Sequence, residues 1–232
     1  MELILDGFEK GVRLLWAGDP EVLGIVLLTL EVSGSATLLS LILGVSTGAA
    51  VGLSRFPGRS ILVSLVNTGM GLPPVVVGLF VTILLWRSGP LGGLGLLYTP
   101  TAMILAQAVI ATPIVAGISI AAMQGLSERL RLQILSLGAT RLQAVWLLIR
   151  EARLQLLAAV MAGFGGVVSE VGASMMVGGN IKGYTRVLTT ATVMETAKGN
   201  FDLAVALSLI LLLLAYFITL ILTNLQQRGH KR

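Results

Sequence analysis

The chain has 232 residues, 55% of them from Ala, Val, Ile, Leu, Met, Phe, Trp, Tyr and Cys, and only 12% charged. Soluble domains carry about 25% charged residues. The excess apolar surface excludes a soluble globule and indicates an integral membrane protein, with formal charge +5.

No cysteine is present, and the single histidine is His230. Disulfides, thiolate or histidine metal centres, cysteine nucleophiles and Ser-His-Asp triads are thereby excluded, so no catalytic or metal residues are assigned. The positive charge is not read as nucleic-acid affinity, because in a membrane protein the placement of Lys and Arg around the spans is what matters. The first twenty residues carry Glu2, Asp6, Glu9 and Asp19, so no signal peptide is expected.

In chain order, residues 1–19 come first as an amphipathic segment. Ile4, Phe8, Val12 and Leu15 recur at helical spacing with Asp6, Glu9, Lys10 and Arg13 between them. Such a helix is expected to lie in the outer membrane interface. Asp19-Pro20 then starts the first span, proline being tolerated in a first helical turn.

A spanning helix needs about 20 mostly apolar residues. Five candidates follow: Val22–Ser54, interrupted by Glu31; Ser60–Trp86; Thr99–Met123; Arg153 to about Val177, interrupted by Glu170; and Leu203–Thr223. Ser88–Tyr98 is glycine-rich and reads as a loop. Thr185–Thr196 is a candidate short helix on the outer side. Gly44, Gly48 and Gly52 are spaced to let helices approach closely. Pro73, Pro74 and Pro113 should kink the second and third spans. These features fit either tight bundle packing or bent helices around a path.

With the N-terminus outside, the inner segments hold ten Lys or Arg and two acids, and the outer ones hold six and seven. The positive-inside rule therefore favours N-terminus out and C-terminus in the cytoplasm, with 226–232 as a cytoplasmic tail. The loop 124–153 gathers arginines. Ser127 can cap a helix from Glu128, Leu130, Ile134 and Leu137 share a face, Gly138 interrupts, and Thr140 can cap a second helix running to Arg150. A short helical loop, apolar on one side and basic on the other, suits docking on a cytoplasmic partner.

Leu135–Ala152 resembles the cytoplasmic coupling segment of permease subunits of ABC importers with a type I transmembrane fold. Gly138 matches the family glycine. The family's Glu-Ala-Ala positions hold Leu132-Gln133-Ile134 here, and its Leu-Pro ending is replaced near Arg150-Glu151. Pro-Pro-Val-Val-Val-Gly at 73–78 and the series from Glu170 to Phe201 are similar to oxyanion permeases of the tungstate, molybdate and sulfate types, most of all the tungstate type. The resemblance covers about residues 20–225 as one transmembrane domain.

It implies an all-α membrane protein of about five transmembrane helices in a prokaryotic plasma (inner) membrane. It also implies a second copy of the chain, a cytoplasmic ABC ATPase dimer, an extracytoplasmic oxyanion-binding protein and surrounding membrane lipid. The chain has no Gly-x-x-x-x-Gly-Lys-[Ser/Thr] phosphate cradle, so ATP is expected on a partner, with no cofactor here. Leu137, Gly138, Ala139, Thr140 and Arg141 are the candidate ATPase contact.

A tetrahedral dianion is costly to place in hydrocarbon, and a path needs weak polar contacts rather than a tight cationic trap. Pro73, Pro74, Ser169, Glu170, Gly172 and Ser174 are the candidate path or gate. The alternative is a glycine-rich helix end whose hydroxyls bond back to carbonyls. Glu170 is expected to bond backbone N–H groups or a cation such as Arg87, and Glu31 to be a protonated or hydroxyl-paired helix residue near Ser33 or Ser35. Lys182 and Arg186 read equally as an electrostatic lure or as interfacial anchors. A stand-alone secondary anion transporter is disfavoured, because five spans do not divide into repeated halves.

Overall fold

The computed structural model describes residues 2–230, with side chains for 5–228. Its helices are α1 (Glu2–Trp16), α2 (Pro20–Leu53), α3 (Arg59–Met70), α4 (Pro74–Leu85), α5 (Pro100–Gln124) and α6 (Glu128–Ser136). They continue as α7 (Arg141–Glu151), α8 (Arg153–Val168), α9 (Gly172–Gly178), α10 (Leu188–Ala197) and α11 (Phe201–His230). Lys231 and Arg232, counted among the inner cations, lie outside the described residues.

Among the described residues, three helices are long and apolar enough to cross a membrane alone: α2, α5 and α11. The α2 helix has 34 residues, about 51 Å at 1.5 Å per residue, and so outreaches a hydrocarbon core of roughly 30 Å. Asp19 caps it, its carboxylate accepting from the amides of Glu21 and Val22 at 3.0 Å each.

The other two expected spans are broken. The chain turns by 100° between α3 and α4, and by 60° between α8 and α9. At the first break, Pro73 and Pro74 lack amide protons and push the residue before each out of helical geometry. Pro73 accordingly sits extended at φ −62°, ψ 123°. Pro113 acts differently: α5 runs on through it as one helix, and Pro113 packs on Gly69 of α3.

Gly44 and Gly52 approach Val115 and Met123 of α5, and Gly48 meets Ser119. A β-carbon at 44 would lie 2.8 Å from Val115 Cβ, so larger residues would force the pair apart. The contacts advance together along both helices, so α2 and α5 run parallel. The chain must cross back between them, and only α3–α4 can do so. Gln226 Nε2 donates to the Leu154 carbonyl at 3.1 Å, which places the end of α11 beside the start of α8. That in turn makes α8–α9 a crossing.

The expected five crossings therefore stand, two of them bent. The α11 helix also extends through 226–230, where a tail is expected from sequence.

The α1 helix rests on the first turns of α11. Gly7 and Gly11 face Val205 and Ala206, and Lys10 pairs with Asp202. Leu5, Phe8 and Val12 are exposed. The apolar stripe thus points away from the protein, and the small residues make the contact. The α10 helix is not a surface helix: Leu188 and Ala191 pack with Val22, Ile25 and Leu207. The Leu188 amide also donates to Thr29 Oγ1 of α2 at 2.9 Å.

Candidate gate and coupling surface

The two breaks meet. A β-carbon on Gly172 would lie 2.7 Å from Val75 Cγ2, and one on Gly78 would lie 2.7 Å from Ala173 Cα. The start of α4 therefore lies against the start of α9, within the thickness of the bundle. This brings Pro73-Pro74 beside Glu170 and Gly172, residues about a hundred apart in sequence.

Glu170 explains the second break. Its Oε1 accepts from the Ala173 amide at 2.9 Å, in place of a main-chain carbonyl one turn back. A carboxylate at a helix start opposes the positive end of the helix dipole. Thr189 Oγ1 donates to the Glu170 carbonyl at 3.1 Å, tying α10 to the same point. Of the expected Glu170 partners, the backbone amide is the one present, and Arg87 is not among them.

The candidate path residues divide by exposure. Glu170 and Ser174 are buried, whereas Pro73 and Ser169 are exposed. Ser169 Oγ donates back to the Gly165 carbonyl at 2.8 Å, as the packing alternative expects. Ser174 Oγ instead accepts from Gln107 Nε2 of α5 at 2.9 Å. Sequence reading overlooked Gln107, whose Oε1 is buried with no partner among the described residues. The available signal was an amide side chain inside an uncharged spanning helix.

The hydroxyl pairing considered for Glu31 is not present among the described residues. Its carboxylate makes no hydrogen bond to Ser33, Ser35 or any other described side chain, and it lies on the exposed face of α2. The buried stripe on which α2 packs is set by Thr29, Val32, Ser33 and Ala36, and Glu31 falls opposite it. Lys182 and Arg186 both face Glu21 at the start of α2. Lys182 Nζ is 2.7 Å from Glu21 Oε2, and Arg186 Nη1 is 3.9 Å from Glu21 Oε1. On the same side, Asn200 Nδ2 and Lys198 Nζ donate to the Glu195 carboxylate and hold its pKa below the usual carboxylate value.

At the opposite end, α6 and α7 form the expected hairpin. Ser127 Oγ accepts from the Leu130 amide, and Thr140 and Gln143 make a reciprocal cap at the start of α7. Gly138 turns the chain at φ +85°, a conformation that penalises residues bearing a β-carbon. Nothing lies within 4 Å of where that β-carbon would be, so the tip is open.

Leu137 is 88% exposed. It leaves the face it was expected to share with Leu130 and Ile134, both half-buried, because it follows the last helical turn at φ −78°, ψ 6°. Arg141 is also exposed, while Ala139 is half-buried.

The hairpin is fastened to α2 by arginines that sequence reading used only for topology. Arg131 Nη1 donates to the Leu53 carbonyl at 2.9 Å. Beside it, Arg59 Nε, at the start of α3, donates to the Val51 carbonyl of the same α2 end at 2.8 Å. Arg55 pairs with Glu128 at 3.3 Å. Cations at carbonyl ends are favoured by the helix dipole, and here they weld the loop to a spanning helix.

Five crossings, two of them broken at one point, and a glycine-tipped hairpin define the permease subunit of an ABC importer of the type I fold. Residues 40–231 match the family described as binding-protein-dependent transport system inner membrane components, and the chain belongs to that family. It is 39% identical to the tungstate uptake system permease protein TupB of Peptoclostridium acidaminophilum, over 98% of this chain and 100% of that one. It is 29% identical to the molybdenum transport system permease protein ModB of Escherichia coli K12, over 85% of this chain and 93% of that one. An amino acid ABC transporter crystal structure superposes with TM-score 0.66 at 19% identity, over 92% of this chain and 96% of that one.

Proposed function

We propose that the chain is the permease of a tungstate importer, and that two copies form the path. The observation that carries the substrate is end-to-end similarity to a tungstate permease, closer and more complete than to the molybdate one. Molybdate remains the second reading, supported by the same family.

The second copy is supported by what one chain leaves uncovered. The α3 helix buries none of its residues, and α2 presents a carboxylate, Glu31, on its exposed face within a membrane-spanning helix. Such a group is costly in lipid unless protein or water covers it. The N-terminus lies outside and the hairpin inside, by the distribution of arginines.

Leu137, Gly138, Ala139, Thr140 and Arg141 form the seat of a cytoplasmic ATPase. The exposed leucine supplies an apolar knob. The glycine lets the chain turn with no side chain at the tip. Thr140 and Ala139 hold the turn, and Arg141 supplies a cation beside it. Pro73, Pro74, Ser169, Glu170, Gly172 and Ser174 form the gate. The exposed Pro73 and Ser169 face the path, while half-buried Gly172 and buried Glu170 and Ser174 hold α9 in place. Tungstate is captured outside by a binding protein, and ATP is hydrolysed on the partner.

Gly138→Glu tests the seat. It strains the turn by about 1–2 kcal/mol and adds a charge at the tip. The variant is expected in the membrane at normal level, but without co-purifying ATPase or with hydrolysis uncoupled from uptake. Normal coupling in reconstituted vesicles would refute the assignment.

A further inference from the structure

A groove of about 850 Å³ opens at the hairpin end of the bundle, between α2, α7, α8 and α11. Its walls include Leu41 and Leu225, and its rim carries Trp146, Arg150, Arg153 and Arg228. The Arg150 guanidinium lies over the Trp146 ring, 5.6 Å from its centre. No acid lines the groove, and none of the three arginines is ion-paired among the described residues.

The arginines also sit at one depth. Arg228 is five residues beyond Thr223, where the apolar run of α11 ends, about 7.5 Å further along the axis. Arg150 and Arg153 flank the start of α8, to which the end of α11 is bonded through Gln226 and Leu154. The rim is therefore at headgroup level and the walls are in hydrocarbon. Tryptophan favours that same boundary.

We infer that this groove binds one anionic phospholipid of the adjoining leaflet, its phosphate held by Arg150, Arg153 and Arg228 and an acyl chain lying against Leu41 and Leu225. Charge complementarity selects the occupant. Three unpaired cations would repel a second basic segment, and a zwitterionic lipid would leave their charge uncompensated. An apolar wall beneath the cations suits an amphiphile and gives a free oxyanion nothing to hold. The lipid would also bridge the hairpin, α8 and α11, clamping the element that meets the ATPase.

The test is native mass spectrometry of the full-length chain, purified in mild detergent and offered phosphatidylglycerol or phosphatidylcholine of the same acyl composition. Wild type should retain one phosphatidylglycerol and little phosphatidylcholine, and inorganic phosphate should not displace the lipid. Each Arg→Gln change at 150, 153 or 228 should weaken retention about fivefold, and the triple change roughly a hundredfold. Leu225→Trp, which fills the groove and keeps every cation, should weaken it as well, and it serves if the triple variant does not fold. Arg55→Gln, on the far side of the hairpin, should change nothing.

Equal retention of the two lipids, or undiminished retention by both Leu225→Trp and the triple variant, would overturn the proposal. So would displacement by phosphate alone. A disulfide between two copies of Leu225→Cys, in a chain with no other cysteine, would assign the groove to the second copy instead.

Discussion

Glu170 shows how one side chain sets the bend in a spanning segment. Its carboxylate takes the Ala173 amide, so the chain leaves α8 and restarts as α9 without orphaning that donor. Glu170→Gln keeps an acceptor in place but removes the charge. Assembly should survive, at a cost of about 0.3–1 kcal/mol in lost helix-dipole interaction. Uptake should fall, because α9 is then held less firmly against α4. Unchanged transport rates in that variant would remove Glu170 from the gate. The residue was legible as an intramembrane acid with a backbone amide among its expected partners, but which amide was not. A particular backbone amide three residues on leaves no mark in sequence, whereas a cation such as Arg87 does.

Elements were legible to the degree that local chemistry determines them. Asp19-Pro20, Ser127 and Thr140 announced helix starts, and all three cap as their chemistry dictates. Pro73-Pro74 announced a disturbance. Its size, 100°, depends on α4 packing against α9, which is a tertiary matter. Pro113 carries the same signal but ends no helix, since α5 is clasped on both sides by α2 and α8.

The turn from α10 to α11 carries a pH prediction. Glu195 accepts from Asn200 at 2.8 Å and Lys198 at 2.7 Å, and these bonds lower its pKa. A lowered folded-state value means the stabilisation is fully present above the unfolded value of about 4.3 and is lost as pH falls through the folded value. The protection of the Asn200 amide, which donates to the Glu195 carbonyl, should fall relative to its intrinsic exchange rate only at such acidity. In Glu195→Gln the pH dependence of that protection factor should vanish. Persistence of that dependence would place its origin elsewhere.

At the scale of the molecule, charge and apolar periodicity revealed the number of crossings. The convergence of the two breaks lay beyond them, because nothing in residues 71–74 points to residues 169–172 until both are folded. The arginine weld between α2 and the hairpin was hidden differently. Arg55 and Arg131 were visible as inner cations, but a carbonyl partner such as that of Leu53 is present at every helix end.

The weld gives the hairpin a mechanical route to α2 and, through the glycine stripe, to α5. Orientation can be tested in this cysteine-free chain by single substitutions. Arg141→Cys should react with an impermeant maleimide only from the cytoplasmic side, and Lys182→Cys only from outside. The reverse labelling would invert the topology.

The central claim is that the chain is the path of an ATP-driven tungstate importer. Vesicles holding the permease with its ATPase, and the binding protein on the side opposite the hairpin, allow tungstate accumulation to be measured by mass spectrometry. Accumulation is expected to require ATP on the hairpin side and binding protein on the other. Tungstate should outcompete molybdate and sulfate. Accumulation that persists without ATP, or molybdate or sulfate carried in preference to tungstate, would contradict the account.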